Sequence, residues 1–210
     1  MITDSVIVSF SCGKDSIVTL DLCRKHFKTV YAFFMYQVKD LEFQEKTLRY
    51  YEKKYDINIL RIPHFELSEF FAFGTYRLYD DSVPIIKITD VYKYVREYFQ
   101  TWWIAAGERI ADSVVRRAMI KNSSSIDENR GRFYPVAEFR KPHIIQYMKL
   151  NNLKLPDEYK TLGHSMSNLS PKTCYLMKTH YPEDYQRIQE WFPFIESAVK
   201  KYEWYEKQQQ

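Results

Sequence analysis

Glycine is scarce in this chain, with 5 among its 210 residues. Two glycine-rich patterns that bind phosphate groups are missing. The Walker A loop is absent, because no four-residue spacer leads to a Gly-Lys-Ser/Thr ending. The dinucleotide fingerprint is absent too, because its second and third glycines are missing. Any phosphate site in this chain must therefore use a different loop.

Cysteine is also scarce, and the three cysteines, Cys12, Cys23 and Cys174, are widely spaced without a C-x-x-C pair. That spacing predicts neither a structural zinc nor a four-cysteine iron–sulfur cluster. The sequence shows no signal peptide and no apolar run of membrane-spanning length. We therefore expect a cytoplasmic protein with reduced thiols and no membrane partner.

The chain contains enough apolar material for a folded domain, since 45% of its residues are hydrophobic and 17% are aromatic. Its formal net charge is +4. This mildly basic balance suits phosphate ligands but is too weak to indicate nucleic-acid binding by itself.

The first half alternates between strand and helix patterns. Val6–Phe10, Val30–Tyr36 and Ile57–Ile62 are mainly apolar runs, as in buried parallel strands. Helix patterns at Ser16–Phe27 and Leu41–Tyr55 separate them. This βαβαβ order predicts an α/β protein with a doubly wound, mostly parallel sheet.

The second half is less regular. Thr101–Ala106 and Phe133–Phe139 are predicted strands, and the polar loop Asn122–Gly131 between them is either a mobile lid or an inert surface loop. We expect residues 1–140 to form an α/β core and residues 141–210 a helical C-terminal extension packed on the same domain. Further helices are predicted within 65–79, at Val91–Phe99, Asp112–Lys121 and Lys141–Asn151, within Leu155–Lys178, and at Pro182–Tyr205 with a break at Pro193.

A polar turn, Ser11-Cys12-Gly13-Lys14-Asp15-Ser16, joins the first strand to the first helix. Backbone N–H groups at a helix start face an anion, and the helix dipole favours negative charge there. In this turn the glycine permits close approach or a positive φ, the lysine supplies a cation, and the serines supply hydroxyl donors. The aspartate would hold a magnesium ion against the phosphates. A strand–turn–helix occurs in every α/β protein, so an anion site and plain helix capping by the serine or aspartate both remain open.

A second polar segment follows the predicted strand Thr101–Ala106, at the edge where doubly wound sheets bind ligands. Gly107 permits a sharp turn, and the Arg109 guanidinium suits a phosphate or sulfate. Arg116 shares a helix face with Asp112, four residues before it. The alternative is a solvated helix start with an Asp–Arg pair, which the residues alone leave open.

Both segments resemble the signatures of one superfamily. Residues 11–16 are similar to S-G-G-K-D-S, the PP-loop of the ATP pyrophosphatases and phosphoadenosine-phosphosulfate (PAPS) reductases, with Cys12 at the first glycine. Residues 107–116 resemble G-x-R-x-x-D/E-S-x-x-R, a second signature of the PAPS reductases and their adenine nucleotide α-hydrolase relatives. The resemblance implies a Rossmann-like fold in which residues 1–140 bind the nucleotide.

The resemblance also implies which residues form the site. Lys14, Asp15 and Arg109 are the predicted catalytic residues. The implied ligand is ATP with Mg²⁺ bound at Asp15, without zinc and without an iron–sulfur cluster. The predicted nucleotide- and phosphate-binding residues are Ser9, Ser11, Cys12, Gly13, Lys14, Asp15, Ser16, Phe34, Met35, Gly107, Arg109, Ser113 and Arg116.

The chain departs from the family pattern at several places. The reductases carry a nucleophilic cysteine in a C-terminal E-C-G-I/L-H tail, which is missing here. Cys174, the one late cysteine, is either a sulfur carrier or nucleophile, or a small core residue. The run Met35–Asp40 stands where many relatives have Asp-Thr-Gly. His164 is either an acid–base or phosphate-donor group or a surface residue.

Three functions remain open. The first is an enzyme that cleaves the α–β bond of ATP, releases pyrophosphate and adenylates an acceptor, for which a nucleic acid or modified base is a candidate. The second is a sulfonucleotide reductase that uses an atypical thiol. The third is a non-catalytic adenine-nucleotide-binding module of a larger assembly. The aromatic stretch Trp191–Trp204 either joins copies in a homo-oligomer or packs on its own sheet.

Overall fold

The computed structural model describes residues 3–123, 125–166 and 168–208, and within these ranges it contains one six-stranded sheet. The strands are β1 (Ser5–Ser9), β2 (Thr29–Tyr36), β3 (Ile59–Pro63), β4 (Ile104–Ala105), β5 (Ile126–Asp127) and β6 (Arg132–Phe133). Their order is β3-β2-β1-β4-β6-β5. β1 is parallel to β2 and β4, β4 is parallel to β6, and β5 is antiparallel to β6. The predicted α/β class with a mostly parallel sheet is confirmed.

Helices follow most strands, as expected for a doubly wound protein. In the described ranges they are α1 (Lys14–His26), α2 (Glu42–Tyr55), α3 (Glu66–Ala72), α4 (Ile88–Phe99), α5 (Val114–Ser123), α6 (Lys141–Leu150), α7 (Tyr159–Leu162), α8 (Pro171–His180), α9 (Pro182–Trp191) and α10 (Ile195–Gln208). None of these helices combines the length and the apolar character needed to cross a membrane.

The chain divides into two compact units, each assembled from separate stretches of sequence. The first unit comprises residues 1–34, 47–61 and 92–156, and the second comprises residues 35–46, 62–91 and 157–210. The functional division between residues 1–140 and 141–210 stays a prediction.

The core of the first unit is built around β1. Val6, Ile7 and Val8 have no exposed surface. Ile7 lies opposite Tyr31 of β2 on one side and Ile104 of β4 on the other. A strand buried on both faces reads as a continuous apolar run, which is why the sequence pattern identified it. The segment that leaves the carboxyl end of β1 therefore starts from a tightly packed position.

The core of the second unit is largely helical. Its α8, α9 and α10 helices contribute the fully buried side chains of Cys174, Met177, Ile188, Ile195 and Val199, and Phe192, which directly follows α9, is fully buried as well. The Asp184 carboxylate accepts hydrogen bonds from the backbone N–H groups of Glu42 (2.6 Å) and Phe43 (3.2 Å). A side chain far away in sequence thus satisfies donors at the start of α2.

The predicted strand Phe133–Phe139 is wrong beyond its first residue. β6 ends at Phe133, and Pro135 has no N–H group with which to extend a strand ladder. The following residues form turns closed by short-range bonds, such as the one from the Ala137 N–H to the Tyr134 carbonyl oxygen (3.1 Å).

The predicted loop Asn122–Gly131 is also partly wrong, because it contains β5. Two residues of β5 pair with β6, which adds an antiparallel strand at the edge of the sheet. The Asp127 carboxylate accepts the Arg130 N–H (3.0 Å) and closes the connection. Ser124 of this predicted loop lies outside the described residues, and so does Ser167 of the stretch Leu155–Lys178, within which helices are predicted.

The helix break at Pro193 is confirmed, since α9 ends at Trp191 and α10 begins at Ile195. Trp191 packs within its own unit, with ring centroids 6.1 Å from Tyr36 and 6.2 Å from Phe71. Trp204 is 57% exposed. Formation of a homo-oligomer through this stretch stays a prediction.

Candidate functional site

The loop between β1 and α1, residues 10–13, leaves the first helix without a side-chain cap. α1 begins at Lys14, and its N-cap, Gly13, has extended backbone angles (φ −78°, ψ 155°). Because the first N–H groups of a helix have no partner within it, the turn presents donors and the positive end of a dipole. The capping alternative for Ser11 or Asp15 is therefore not what the structure shows.

Two serine side chains close the loop. The Ser16 hydroxyl donates to the Gly13 carbonyl oxygen (2.9 Å) and accepts the backbone N–H of Ser11 (3.1 Å). Ser16 is buried, whereas Ser11 is exposed. Ser16 therefore holds the shape of the loop, and Ser11 is the serine that faces solvent.

The left-handed backbone position in this loop belongs to Cys12, with φ +58°. Of the two roles that the sequence left open for Gly13, the positive φ is not realised, because Gly13 has a φ of −78°, and the close approach of a phosphate stays a prediction. A side chain in the left-handed region costs about 1–2 kcal/mol relative to glycine. The cysteine accepts that conformation while its thiol is buried.

Gly107 brings the second polar segment against the loop. A Cβ atom at this position would lie 3.0 Å from the backbone carbon of Asp15 and 3.0 Å from the backbone nitrogen of Ser16. Only a residue without a side chain fits that approach undisturbed. Two sequence segments more than 90 residues apart are therefore in direct contact at the start of α1.

Five charged side chains, which we call the charge row, alternate in sign across this contact. They are Lys14, Asp15, Arg109, Asp112 and Arg116. The successive nitrogen–oxygen distances are 2.5 Å (Lys14 Nζ–Asp15 Oδ2), 3.1 Å (Arg109 Nε–Asp15 Oδ1), 2.6 Å (Arg109 Nη2–Asp112 Oδ1) and 3.1 Å (Arg116 Nη1–Asp112 Oδ2). Three cations face two carboxylates, which leaves the row with an excess of positive charge.

Arg109 lies at the centre of the row, and its side chain is only 9% exposed. Its Nε and Nη1 atoms are buried without a hydrogen bond to any described residue. The contact of Nε with Asp15 is thus an ion pair that lacks hydrogen-bond alignment. An arginine that is buried with two unused donor atoms is suited to accept a further anion.

Asp112 is held as an anion. Burial opposes its ionisation, but the backbone N–H of Arg109 and the charges of Arg109 and Arg116 outweigh that effect and lower the pKa of the Asp112 carboxyl. Its Oδ2 atom accepts the Arg109 N–H at 2.9 Å. The carboxylate therefore fixes both the backbone and the side chain of Arg109.

The remaining predicted site residues occupy various positions. Ser113 caps α5, since its hydroxyl accepts the N–H of Arg116 (3.1 Å). Ser9 is the last residue of β1 and lies opposite Phe33. Phe34 is buried near the carboxyl end of β2, and Met35 follows it in that strand. The roles of these residues in binding stay predictions.

Sequence reasoning missed a second ion pair beside Arg109. Arg132 Nη2 lies 3.0 Å from Glu108 Oε1, and its guanidinium lies 4.8 Å from the ring of Tyr92 and 5.2 Å from the ring of Tyr134. Glu108 and Arg132 are 24 residues apart, and nothing in the sequence indicates the pair. Only the pairing of β4 with β6 brings them together.

Two other candidates lie away from the charge row in sequence. Cys174 is fully buried, and burial raises the pKa of its thiol to about 12. That environment disfavours the thiolate that a nucleophile or sulfur carrier needs. His164 is exposed, and its Nδ1 atom lies 2.8 Å from the carbonyl oxygen of Ser165.

Comparison with known proteins assigns the family. The model of the phosphoadenosine phosphosulfate reductase domain matches residues 5–168. This chain belongs to that family. The match spans both the loop and the charge row, so the family predicted from the two signatures is confirmed. No curated protein matches the sequence.

Two solved structures are similar to this chain at low sequence identity. The NH3-dependent NAD synthetase from Campylobacter jejuni, in complex with the nitrate ion, is 14% identical with a TM-score of 0.51, covering 96% of this chain and 86% of that one. The U34-tRNA thiolase NcsA from Methanococcus maripaludis, with its 4Fe-4S cluster, is 16% identical with a TM-score of 0.49, covering 91% of this chain and 72% of that one.

The cofactor prediction does not stand in its exclusion of an iron–sulfur cluster, because the thiolase to which this chain is similar carries one. The described residues do not fit that group. They contain no set of three or more His, Cys, Asp or Glu side chains placed to hold a metal, and burial raises the pKa of Cys23 to about 12. Mg²⁺ with ATP and the absence of zinc stay predictions.

Proposed function

We propose that this protein is an enzyme that binds ATP at the residue 10–13 loop and the charge row, and cleaves the bond between the α- and β-phosphates. The acceptor's nucleophile attacks the α-phosphorus, the bond to the bridging oxygen breaks, and pyrophosphate leaves with that oxygen. The adenylate remains on the acceptor. Arg109, buried with two unused donor atoms, is the observation that carries the proposal.

The chemistry of such a reaction is positioning and charge stabilisation. The N–H groups at the start of α1 and the Lys14 ammonium would hold the departing pyrophosphate. Arg109 would face the α-phosphate, where negative charge builds up as the acceptor attacks. Asp15 and Asp112 would keep the cations of the row in place before the nucleotide arrives, because Asp15 contacts Lys14 and Arg109, and Asp112 contacts Arg109 and Arg116.

The acceptor, the nucleotide and the cellular location are proposed from the sequence. The acceptor class we favour is a nucleic acid or a modified base, and the nucleotide is ATP rather than PAPS. All three cysteines are free thiols, which supports a cytoplasmic location. Sulfonucleotide reduction is not proposed, because the late cysteine is fully buried and its pKa is raised.

The test is a turnover assay with ATP labelled at the α-phosphate, with and without candidate nucleic-acid acceptors. We expect labelled AMP or adenylated acceptor together with pyrophosphate. Lys14→Ala and Arg109→Ala should each lower the rate about a hundredfold, as expected for the loss of one preorganised group. Lys121→Ala, which removes an exposed cation of α5 outside the row, should keep the wild-type rate.

Two outcomes would contradict the proposal. ATP binding without pyrophosphate release under every acceptor condition would indicate a non-catalytic module. Equal rates in the wild type, Lys14→Ala and Arg109→Ala would place the chemistry away from the charge row.

A further inference from the structure

The first unit has a cavity of about 420 Å³ at the edge of the sheet opposite the loop. It is lined by the amino end of β2, by residues 56–58 before β3 and Leu60 within it, and by the last turns of α1 and α4. β1 and β2 are parallel, and Ser5 lies opposite Thr29 at their amino ends. The loop leaves the other end of β1, roughly 17 Å away for a five-residue strand. This cavity is therefore separate from the proposed nucleotide site.

Aromatic rings form a continuous series into this cavity. Tyr31 and Phe99 stack with centroids 4.7 Å apart and planes at 20°. Tyr98 meets Phe99 edge-on at 4.9 Å, and Tyr94 lies 6.1 Å from Tyr98. Tyr98 is 57% exposed, and Tyr94 is 49% exposed. Exposed rings of this kind offer faces on which planar ligands stack.

The polar groups of the cavity include one arginine, Arg24, that forms no ion pair with the described residues. The half-buried Arg24 guanidinium has no hydrogen bond or ion pair with any described residue. Lys28 is paired with Asp4 at 2.6 Å. Asp56 and Asn58 line the cavity as well, and neither side chain is bonded within the described ranges. The cavity thus offers one cation, one carboxylate and one amide beside stacked rings.

We propose that this cavity binds one nucleotide unit, with the base on the ring of Tyr98, the phosphate at Arg24, and base or sugar donors at Asp56 and Asn58. A nucleotide combines the planar face, the hydrogen-bonding edge and the anion that these groups complement. The unit is either a free mononucleotide or part of a single strand, whose next base would stack on Tyr94. The site does not depend on the proposed adenylation.

The test measures binding in a protein that already carries Lys14→Ala and Arg109→Ala, so that the loop site does not contribute. Fluorescence anisotropy with a short labelled oligothymidylate probes the strand, and competition by thymidine monophosphate probes the free nucleotide. In this background, Arg24→Ala and Tyr98→Ala should each weaken binding about tenfold.

Matched controls keep the result specific. Lys53→Ala removes an exposed cation of α2, and Tyr205→Ala removes an exposed ring of α10; both should bind like the background protein. Competition by the mononucleotide supports the free nucleotide as the source, and binding of the oligomer alone supports the strand. Binding that is absent in the background protein, or that Arg24→Ala and Tyr98→Ala weaken no more than the controls do, overturns the proposal. Thermal unfolding of each variant shows that a loss is not caused by misfolding.

Discussion

Carboxylates are partly buried in the first unit of the chain and fully buried in the second, and their surroundings differ. In the first unit, Asp15 and Asp112 each contact two cations of the charge row. In the second unit, Glu158 has no exposed surface, and neither of its carboxyl oxygens has a hydrogen-bond partner among the described residues. Burial raises the pKa of Glu158 to about 7, whereas the pKa of Asp112 is lowered.

The carboxylates of the first unit are ion-paired, whereas the buried carboxyl group of Glu158 is unpaired among the described residues. The carboxylates of the row contact Lys14, Arg109 and Arg116 without neutralising all of their charge. Under the proposed function, an incoming phosphate would meet cations that are already positioned. Glu158 does nothing comparable, because an unpaired buried acid favours its neutral form and opposes ionisation near neutral pH. Opposite responses to pH follow for the two units.

The largest expected effect is that of Glu158→Gln. Folding raises the pKa of Glu158 from 4.5 to about 7, so the folded state favours the protonated acid. The stability that this gives is complete below about pH 4.5 and is lost as the pH rises through about 7. The wild type should therefore lose about 3 kcal/mol of unfolding free energy over that interval relative to the glutamine variant. Urea unfolding at pH 4.5 and pH 8 measures this, with Glu190→Gln, an exposed residue of α9, as the control.

At pH 8 the Glu158→Gln variant should thus be more stable than the wild type. A less stable variant at pH 8 would mean that the carboxylate is charged and paired, and the contrast between the units would disappear.

The next effect is that of Gly107→Ala, which separates the two halves of the charge row. The new Cβ would press on the backbone at Asp15 and Ser16, and overpacking of this kind costs about 2 kcal/mol. We expect weaker ATP binding in titration calorimetry as well as a lower melting temperature.

Gly163→Ala is the control for this substitution. Its Cβ meets nothing within 4 Å, but its φ of +75° makes the alanine strained. It should cost about 1 kcal/mol of stability and leave ATP binding unchanged. Equal binding losses in both variants would argue against a role for the Gly107 contact.

A smaller effect is expected for Asp112→Asn, whose sign is opposite to that of Glu158→Gln. Folding lowers the pKa of Asp112, so the folded state favours the ionised carboxylate. The stability that this gives is present above about pH 4 and is lost as the pH falls through the pKa of the folded state. The asparagine variant should be about 1 kcal/mol less stable at pH 7, with the difference shrinking in acid. Stability that is unchanged at pH 7 would show that the pairs with Arg109 and Arg116 contribute nothing.

The smallest effect is expected for Cys12→Gly. Glycine relieves the left-handed strain but loses the buried thiol, so the free energy of unfolding should change by less than about 1 kcal/mol. Cys12→Val places a β-branched side chain at the same φ and should be clearly destabilising. Chemical denaturation measures the free energy of unfolding of both variants. If Cys12→Val is as stable as the wild type, the left-handed conformation of residue 12 is contradicted.

Much of the fold could be predicted from the sequence, because β1 and β2 are buried parallel strands whose apolar runs are unmistakable. The meeting of the loop with Gly107 and Arg109 followed from the rule that ligand-binding segments leave the carboxyl ends of strands. The short length of β6 could not be predicted from the sequence, because the apolar residues that follow it form turns but have the pattern of a strand. The positive φ of Cys12, the Glu108–Arg132 pair and the isolation of Glu158 depend on tertiary contacts that no local pattern encodes.

The central claim is that the charge row binds the phosphates of an adenine nucleotide. The most direct measurement is titration calorimetry of ATP and of adenosine, in a protein carrying Arg24→Ala and Tyr98→Ala so that the cavity does not contribute. We predict that ATP binds much more tightly than adenosine, and that Lys14→Ala and Arg109→Ala each weaken ATP binding at least about tenfold. Equal binding of ATP and adenosine, or ATP binding that both substitutions leave unchanged, would contradict the account.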